Sequence, residues 1–232
     1  MKKFANRFLV SHLMMPLLTL VTISIAITIG NTDPLIADYF YKIQGEAWVW
    51  KDSWITEAFF HKGGRALSIL LALILLMIVG ISWVNRSLLP HKKPLLYLFL
   101  ATVFGSLFVS VFKSLLAVSC PWEFDRYGGT LIYSTVFEQL FLRNGEGCFP
   151  AGQASAGYAW ISLYFFGLNY RSRWRWLGLA VPLLAGLVLG FAQQIRGAHF
   201  ISHDVWTLAI CWFTSLGLYI FVFNPHSTKK LT

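Results

Sequence analysis

Charged residues are scarce in this sequence. Asp, Glu, Lys and Arg make up 12% of its 232 residues, and 56% of the residues are hydrophobic. Soluble domains carry about 25% charged residues, so this composition argues against a soluble protein and indicates an integral membrane protein. Ten Trp, nine Tyr and twenty Phe are consistent with that, because aromatic side chains collect at bilayer interfaces. The length suits one all-α transmembrane domain over residues 1–232 and leaves no room for a second domain.

Cysteine is also scarce, with only three residues and no CxxC pair. That pattern argues against a zinc site of the usual spacing. Cys120 and Cys148 lie in one polar connection, whereas Cys211 lies in an apolar run. The first two could form a disulfide if the connection faces an oxidising compartment, and two free thiols are the alternative.

Six apolar runs are long enough, or nearly so, to cross a bilayer, for which about 20 residues suffice. The connection between the first two runs, residues 31–64, is rich in Trp and Phe, which favours short helices lying in the membrane interface. The first run competes with a signal peptide, but it ends without a clear small-residue cleavage site, so we expect it to be retained. The predicted spans are approximately 13–30, 66–84, 95–118, 151–167, 177–193 and 205–223.

Six spans place both termini on one side, and the charges sort accordingly. The N-terminus, the loops 85–94 and 169–176 and the C-terminal tail together hold eleven of the nineteen Lys and Arg residues and none of the Asp or Glu. The positive-inside rule assigns this side to the cytoplasm. The net charge of +9 therefore reflects topology and anionic headgroups, and we expect no nucleic-acid partner.

Three informative stretches then fall on the opposite side, and the most polar of them reads RGAHFISHDVW, residues 196–206. A charge at membrane depth costs about 2.5–3.5 kcal/mol, which favours a functional cluster over a solvated boundary segment. On a helix, Arg196, His199 and His203 would share one face. His199 could act as a nucleophile or base if His203 or Asp204 held its tautomer. A metal pair formed by the two histidines is a weaker alternative, because Asp204 points off the shared face.

The other two stretches carry groups that suit a phosphate. Lys113 lies near the end of the third run, where it is either a phosphate ligand or a lysine that extends to the interface. Residues 149–153, FPAGQ, open the fourth run, and a helix that starts with proline and glycine can direct backbone N–H groups at an anion.

Together the three stretches resemble the PAP2 (type 2 phosphatidic acid phosphatase) superfamily. Its motifs are Lys-x6-Arg-Pro, Pro-Ser-Gly-His and Ser-Arg-x5-His-x3-Asp, and this chain has KSLLAVSCP, FPAGQ and RGAHFISHD in the same order within residues 95–223. The motif sequences are similar to those of a bacterial inner-membrane branch of the family, which has CPW, CFPAGHAS and RGAHF. The resemblance implies phosphate hydrolysis or transfer on membrane lipids at the periplasmic face, without a cofactor or metal. Candidate substrates are undecaprenyl pyrophosphate, lipid A phosphates and phosphatidylglycerol phosphate.

The resemblance also implies roles for particular residues. His199 matches the nucleophile that forms a phosphohistidine, and His203 occupies the position of the orienting Asp, with Asp204 one residue later. Because an oxidising side is implied, a Cys120–Cys148 disulfide is favoured over free thiols. The groups that would hold phosphate oxygens are the side chains of Lys113 and Arg196 and the backbone N–H groups of Ala151, Gly152 and Gln153.

Four positions depart from the family pattern. Cys120 stands where the first motif has Arg, with Arg126 as a possible substitute, Ala151 replaces Ser, and Gln193 stands where the third motif has Arg. Gln153 stands where the family has the histidine that protonates the leaving group. Glutamine cannot donate that proton, so we expect phosphate binding with poor turnover. An engineered substitution and a natural pseudoenzyme both fit this residue, and a non-catalytic lipid-phosphate binding or transport protein is the alternative function.

Overall fold

In the computed structural model, residues 2–223 are described, with side chains from residue 6 onward, and this part of the chain is helical with one isolated β-bridge, between Phe124 and Leu131. The apolar runs form long helices because their side chains can be buried against lipid or each other while the backbone hydrogen-bonds within the helix. The α-helices are α1 (Lys2–Leu9), α2 (Met15–Ile29), α3 (Thr32–Ile43), α4 (Gly64–Ser82), α5 (Lys92–Leu116), α6 (Val136–Leu142), α7 (Gly152–Tyr158), α8 (Ser162–Asn169), α9 (Arg175–Ile195) and α10 (Ile201–Phe223).

Five helical segments of the described chain are long and apolar enough to cross a membrane, so the chain is a multi-pass membrane protein. In two of them a π-helical segment precedes an α-helix and continues into it, so the helix begins before the predicted span. Val10–Met14 connects α1 to α2, and Trp54–Gly63 runs directly into α4. The segments are Asn6–Ile29, Trp54–Ser82, Leu89–Glu123, Arg175–Ile195 and Ile201–Phe223.

The predicted fourth span forms α7 and α8, joined by a 3-10 turn at Ala159–Ile161. This composite helix lies in the interior, where Tyr158, Ile161 and Phe165 are fully buried. A helix enclosed by neighbours has little contact with lipid and needs less hydrophobicity than a lipid-facing one, which explains why it is not among the five most apolar segments.

Small residues let α7 approach α9 closely. A Cβ added to Gly157 would lie 2.3 Å from the backbone nitrogen of Gly186, and a Cβ at Gly186 would lie 2.1 Å from the Tyr158 ring. Glycines at such a crossing are typical of membrane helix packing. The contact fixes the end of α7 against the middle of α9, and these are the two helices that flank the predicted site.

The connection between the first two long helices is only partly as predicted. Its first half contains α3, whose Asp33 accepts hydrogen bonds from the backbone nitrogen (3.0 Å) and the hydroxyl (2.6 Å) of Ser202 at the start of α10. Its second half, from Trp54 onward, belongs to the long helix that ends at Ser82. The connection is therefore tied to the stretch that carries the histidines.

Candidate active site

The segment between α9 and α10 is not helical, so the expectation that Arg196, His199 and His203 share one helix face is wrong. Gly197 has a φ of +72°, and a Cβ there would lie 2.4 Å from the ring of Trp48. Both features require glycine. The chain turns at this point and α10 begins at Ile201, so His199 precedes the helix and His203 lies in its first turn.

His199 and His203 nevertheless lie side by side. Their Nδ1 atoms are 3.4 Å apart, and both side chains are buried. The Nδ1 of His203 is 3.0 Å from the carbonyl oxygen of Cys148. A carbonyl only accepts, so the Nδ1 of His203 carries a proton when it makes this bond. For His199 to act as a nucleophile, its Nδ1 must carry the proton and its Nε2 the free lone pair.

Asp204, the alternative orienting residue, faces a different neighbour. One of its carboxylate oxygens accepts a hydrogen bond from the side-chain amide of Gln194, and the carboxylate packs against Gly190 of α9. Between the two candidates, the structure brings His203 and not Asp204 into contact with His199.

Lys113 lies in the last turn of α5 and reaches the beginning of α7. A Cβ added to Gly152 would lie 3.8 Å from the lysine Nζ, so the ammonium group is within contact distance of the first turn of α7. The backbone N–H of Ala151 is 3.4 Å from the carbonyl oxygen of His203 and is at least partly engaged. Gly152 is the first residue of α7, where N–H groups lack partners within the helix.

The electrostatic environment keeps His199 neutral. Burial lowers the pKa of His199 well below its ordinary value, and the nearby His203 and Lys113 lower it further because a second positive charge there is unfavourable. A neutral imidazole beside a cationic lysine suits attack on an anionic group that the lysine attracts.

Gln153 is buried, and its side chain faces the protein interior. Its amide nitrogen donates to the carbonyl oxygens of His61 (2.7 Å) and Phe60 (3.2 Å), both in the π-helical segment Trp54–Gly63. Since both partners are acceptors, the NH₂ group must face them. The residue therefore fastens the π-helical segment to the start of α7 and has no acidic proton to give.

Arg196 is also held by the polypeptide. Its Nε donates to the carbonyl oxygen of Lys51 at 2.6 Å, its Nη1 to the Gln193 side chain at 3.1 Å, and its Nη2 forms an ion pair with Glu57. The arginine side chain is 8% exposed and that of Glu57 is 25% exposed. A phosphate that contacted Arg196 would have to share it with Glu57.

Arg126 has a different partner from the one expected. Its guanidinium makes two hydrogen bonds to the carboxylate of Asp38, at 2.7 and 2.5 Å, and this pairing lowers the pKa of Asp38. These contacts tie the connection between Cys120 and Cys148 to α3, and they do not involve His199 or His203.

Cys120 and Cys148 form a disulfide, with their Cα atoms 5.2 Å apart. Within the described residues they also form, with Glu123, a group whose potential ligand atoms lie within 4.8 Å of one another, but a disulfide leaves neither sulfur as a thiolate ligand. Because the carbonyl of Cys148 accepts the bond from His203, the disulfide fixes the position of the group that selects the tautomer of His203.

A sequence model of the PAP2 superfamily matches residues 94–227, which is more than half of the chain. The chain belongs to the PAP2 superfamily. No curated protein and no solved structure shows significant similarity to it. Membership in this superfamily indicates phosphatase activity, and together with the apolar helices it indicates a membrane protein that meets phosphate-containing substrates.

Residues outside the matched region also contact the candidate site, and sequence reasoning missed them. Glu57, His61 and Arg65 follow one another at four-residue spacing in the helix that precedes the match. Glu57 pairs with Arg196, and the charges of Lys113 and Arg65 act on His61. The spacing was a usable signal, since three ionisable residues on one face of an apolar helix are rare in lipid.

Proposed function

We propose that this PAP2 protein is a membrane lipid phosphatase or phosphotransferase that works through a phosphohistidine on His199. The observation that carries the proposal is the buried, neutral His199, which lies against His203 and within the influence of the positive charge of Lys113, while His203 is bonded to the Cys148 carbonyl. Attack by Nε2 on phosphorus forms a P–N bond and breaks the P–O bond to the lipid. Water or an acceptor hydroxyl then takes the phosphoryl group and regenerates the imidazole.

The roles of the remaining residues follow from charge. Phosphoryl transfer needs positioned donors on the equatorial oxygens more than it needs covalent chemistry. Lys113 and the first N–H groups of α7 supply such donors, with Arg196 as a further one when it releases Glu57. His203 orients the nucleophile, with Asp204 kept away by its bond to Gln194.

A lipid substrate is favoured by what adjoins the site. A cavity of about 850 Å³ lies between α9, α10 and the connection that precedes α4, and its lining is largely apolar. Phe191 and Val188, which line it, are about half exposed on the outer surface of α9, so the cavity opens toward the bilayer. An acyl or isoprenoid chain has the chemistry that fits such a space.

We further propose a topology of six spans with both termini in the cytoplasm of a bacterial cell and the histidines at the periplasmic face of the inner membrane. The composite helix Gly152–Asn169 supplies the sixth span, because its 18 residues rise about 27 Å. A cysteine introduced in the loop 169–176 should be labelled only after the inner membrane is permeabilised. Labelling in intact spheroplasts would contradict the topology.

The second candidate function is a non-catalytic lipid-phosphate binder. Two observations favour it: Gln153 has no acidic proton, and Glu57 occupies Arg196. Under the enzymatic proposal Gln153 slows turnover, whereas under the binder proposal Gln153 has abolished turnover.

Phosphate release decides between the two functions. The native chain and its Gln153→His variant, purified in detergent, are each given phosphatidic acid, phosphatidylglycerol phosphate, undecaprenyl pyrophosphate and lipid A. The enzymatic proposal predicts release by Gln153→His on at least one lipid, about 10²–10⁴-fold faster than by the native chain if no other group supplies the proton. Absence of release by both proteins on every lipid would favour the binder.

A further inference from the structure

A gap in the chemistry lies at residue 153. A lipid alkoxide is a poor leaving group unless it is protonated as the P–O bond breaks, and Gln153 cannot provide the proton. Its side chain points at the π-helical segment Trp54–Gly63, where its amide nitrogen lies 2.7 Å from the carbonyl oxygen of His61. Gln153 thus contacts the backbone of a histidine, His61.

His61 lies between a carboxylate and the cations of the site. Its Nδ1 is 3.5 Å from a carboxylate oxygen of Glu57, and its side chain is 39% exposed. The charged groups that act on it are Glu57 on its own segment, Arg65 on α4, Lys113 on α5 and Arg196 before α10. His61 is also among the groups whose charge acts on His199.

This arrangement suits an acid. Glu57 can accept a hydrogen bond from a protonated Nδ1, while Nε2–H stays available for a substrate oxygen.

We propose that His61 is the general acid and base of this protein, in place of residue 153. Its side chain is linked to Arg196 through Glu57, and its backbone to Gln153. The proposal rests on the function proposed above. As His199 attacks and the P–O bond breaks, the Nε2 proton of His61 passes to the departing lipid oxygen. In the second step neutral His61 takes a proton from the water that attacks phosphorus, the P–N bond breaks, and His199 leaves with its electron pair restored.

Leaving-group dependence separates an acid from a residue that only holds the segment in place. His61→Gln and His61→Asn are made in the native chain and in Gln153→His, and phosphate release is measured from phosphatidic acid and from p-nitrophenyl phosphate. The p-nitrophenolate ion is stable enough to leave without a proton, whereas the diacylglycerol alkoxide must be protonated as it leaves. The matched control is His91→Gln, since His91 bonds only Tyr170 among its side-chain partners, in the region of the basic loops.

In the native background we expect both His61 variants to lose at least about 10²-fold in kcat on phosphatidic acid. On p-nitrophenyl phosphate they should lose less than about threefold, because no proton transfer is removed. In Gln153→His the loss on phosphatidic acid should also be small, since the imidazole introduced by that substitution now donates the proton. Melting curves in detergent normalise each rate to folded protein, and His91→Gln should match the native chain on both substrates.

Three results would overturn the proposal, and they differ from one another. An equal loss on the two substrates would make His61 a purely structural residue. Turnover by Gln153→His with none by the native chain would show that the native chain lacks any working acid. Absence of turnover by every protein, on both substrates, would instead remove the proposed function itself.

Discussion

Two histidine clusters lie about 14 Å apart along α10, a buried one around His203 and a half-buried one around Trp212. In the second, His12 stacks on Phe8 with ring centroids 4.4 Å apart, and its Nε2 lies 3.0 Å from the hydroxyl of Tyr164. Its Nδ1 is 3.0 Å from the carbonyl oxygen of Phe8. Both ring nitrogens of His12 thus have partners.

The cluster around His203 is arranged differently. The Nε2 of His203 is buried without a hydrogen-bond partner, and the neighbouring His199 is surrounded by the charges of Lys113 and His61. Buried polar atoms are normally paired, so an unpaired one points to a functional constraint or an absent ligand. A histidine with all its bonds made stabilises a bundle, whereas one held in a single tautomer beside a cation can do chemistry.

The largest expected effect is on turnover. In the Gln153→His background, His199→Ala should abolish phosphate release, by at least about 10³-fold, because no other group can form the covalent intermediate. His12→Gln should leave the rate per folded molecule unchanged while lowering the melting temperature. Phosphate release with melting curves measures both, and retained turnover in His199→Ala would move the nucleophile to another residue, with His203 the first candidate.

The second-largest effect is expected from removing the disulfide. Replacing both Cys120 and Cys148 by Ser should lower the free energy of unfolding by about 3–4 kcal/mol, from the loop entropy of a bridge that spans 28 residues. It should also reduce turnover, since the Cys148 carbonyl is no longer fixed against His203. The His12 cluster lies elsewhere, so the aromatic near-ultraviolet circular dichroism of the remaining fold should persist. An unchanged unfolding midpoint, with and without reductant, would contradict this role.

The Arg196–Glu57 pair should follow. Arg196→Met removes the less exposed of the two cations that pair with Glu57 and leaves Lys62, so it should destabilise the protein by up to about 3 kcal/mol, less than for a fully buried pair because Glu57 is partly exposed. Glu57→Gln is the matched control, and it should tighten binding of inorganic phosphate or vanadate because it frees the guanidinium. Weaker anion binding in Glu57→Gln would show that the carboxylate does not compete with the anion.

The smallest effect is a pH dependence of stability. Burial holds the pKa of His199 well below its ordinary 6.5 in the folded protein. Below about pH 6.5 the unfolded chain therefore binds a proton that the folded chain does not, and stability falls by up to about 1.4 kcal/mol per pH unit until the folded pKa is reached. Melting temperatures between pH 7.5 and 5 should fall less steeply in His199→Gln than in the native chain, and equal slopes would contradict a neutral buried His199.

Much of the fold follows from the apolar runs, because a run of about 20 such residues has few alternatives to a buried or lipid-facing helix. All six predicted runs are helical in the structure, and five qualify as spans. The ends of the helices were harder to predict than their existence. The helix that ends at Ser82 begins at Trp54, twelve residues before the predicted start, because a polar, aromatic segment can be helical when it packs on the bundle.

The site was only partly predictable for a related reason. Local patterns identified Lys113, His199 and His203, which the structure brings together. They did not identify the turn at Gly197, where the packing of Trp48 decides the backbone, nor the ion pair of Glu57 with Arg196, which is formed by tertiary contact. Whether His203 or Asp204 faces His199 depended on which way α10 rotates against α9, and no local pattern encodes that rotation.

The most direct test of the account is the identity of the phosphorylated residue. Gln153→His is mixed with ³²P-labelled lipid phosphate, quenched rapidly at alkaline pH and digested, and the labelled peptide is sequenced by mass spectrometry. We predict an alkali-stable, acid-labile phosphoryl group on His199. A label on His203, or rapid turnover with no labelled peptide at any quench time, would contradict the central claim.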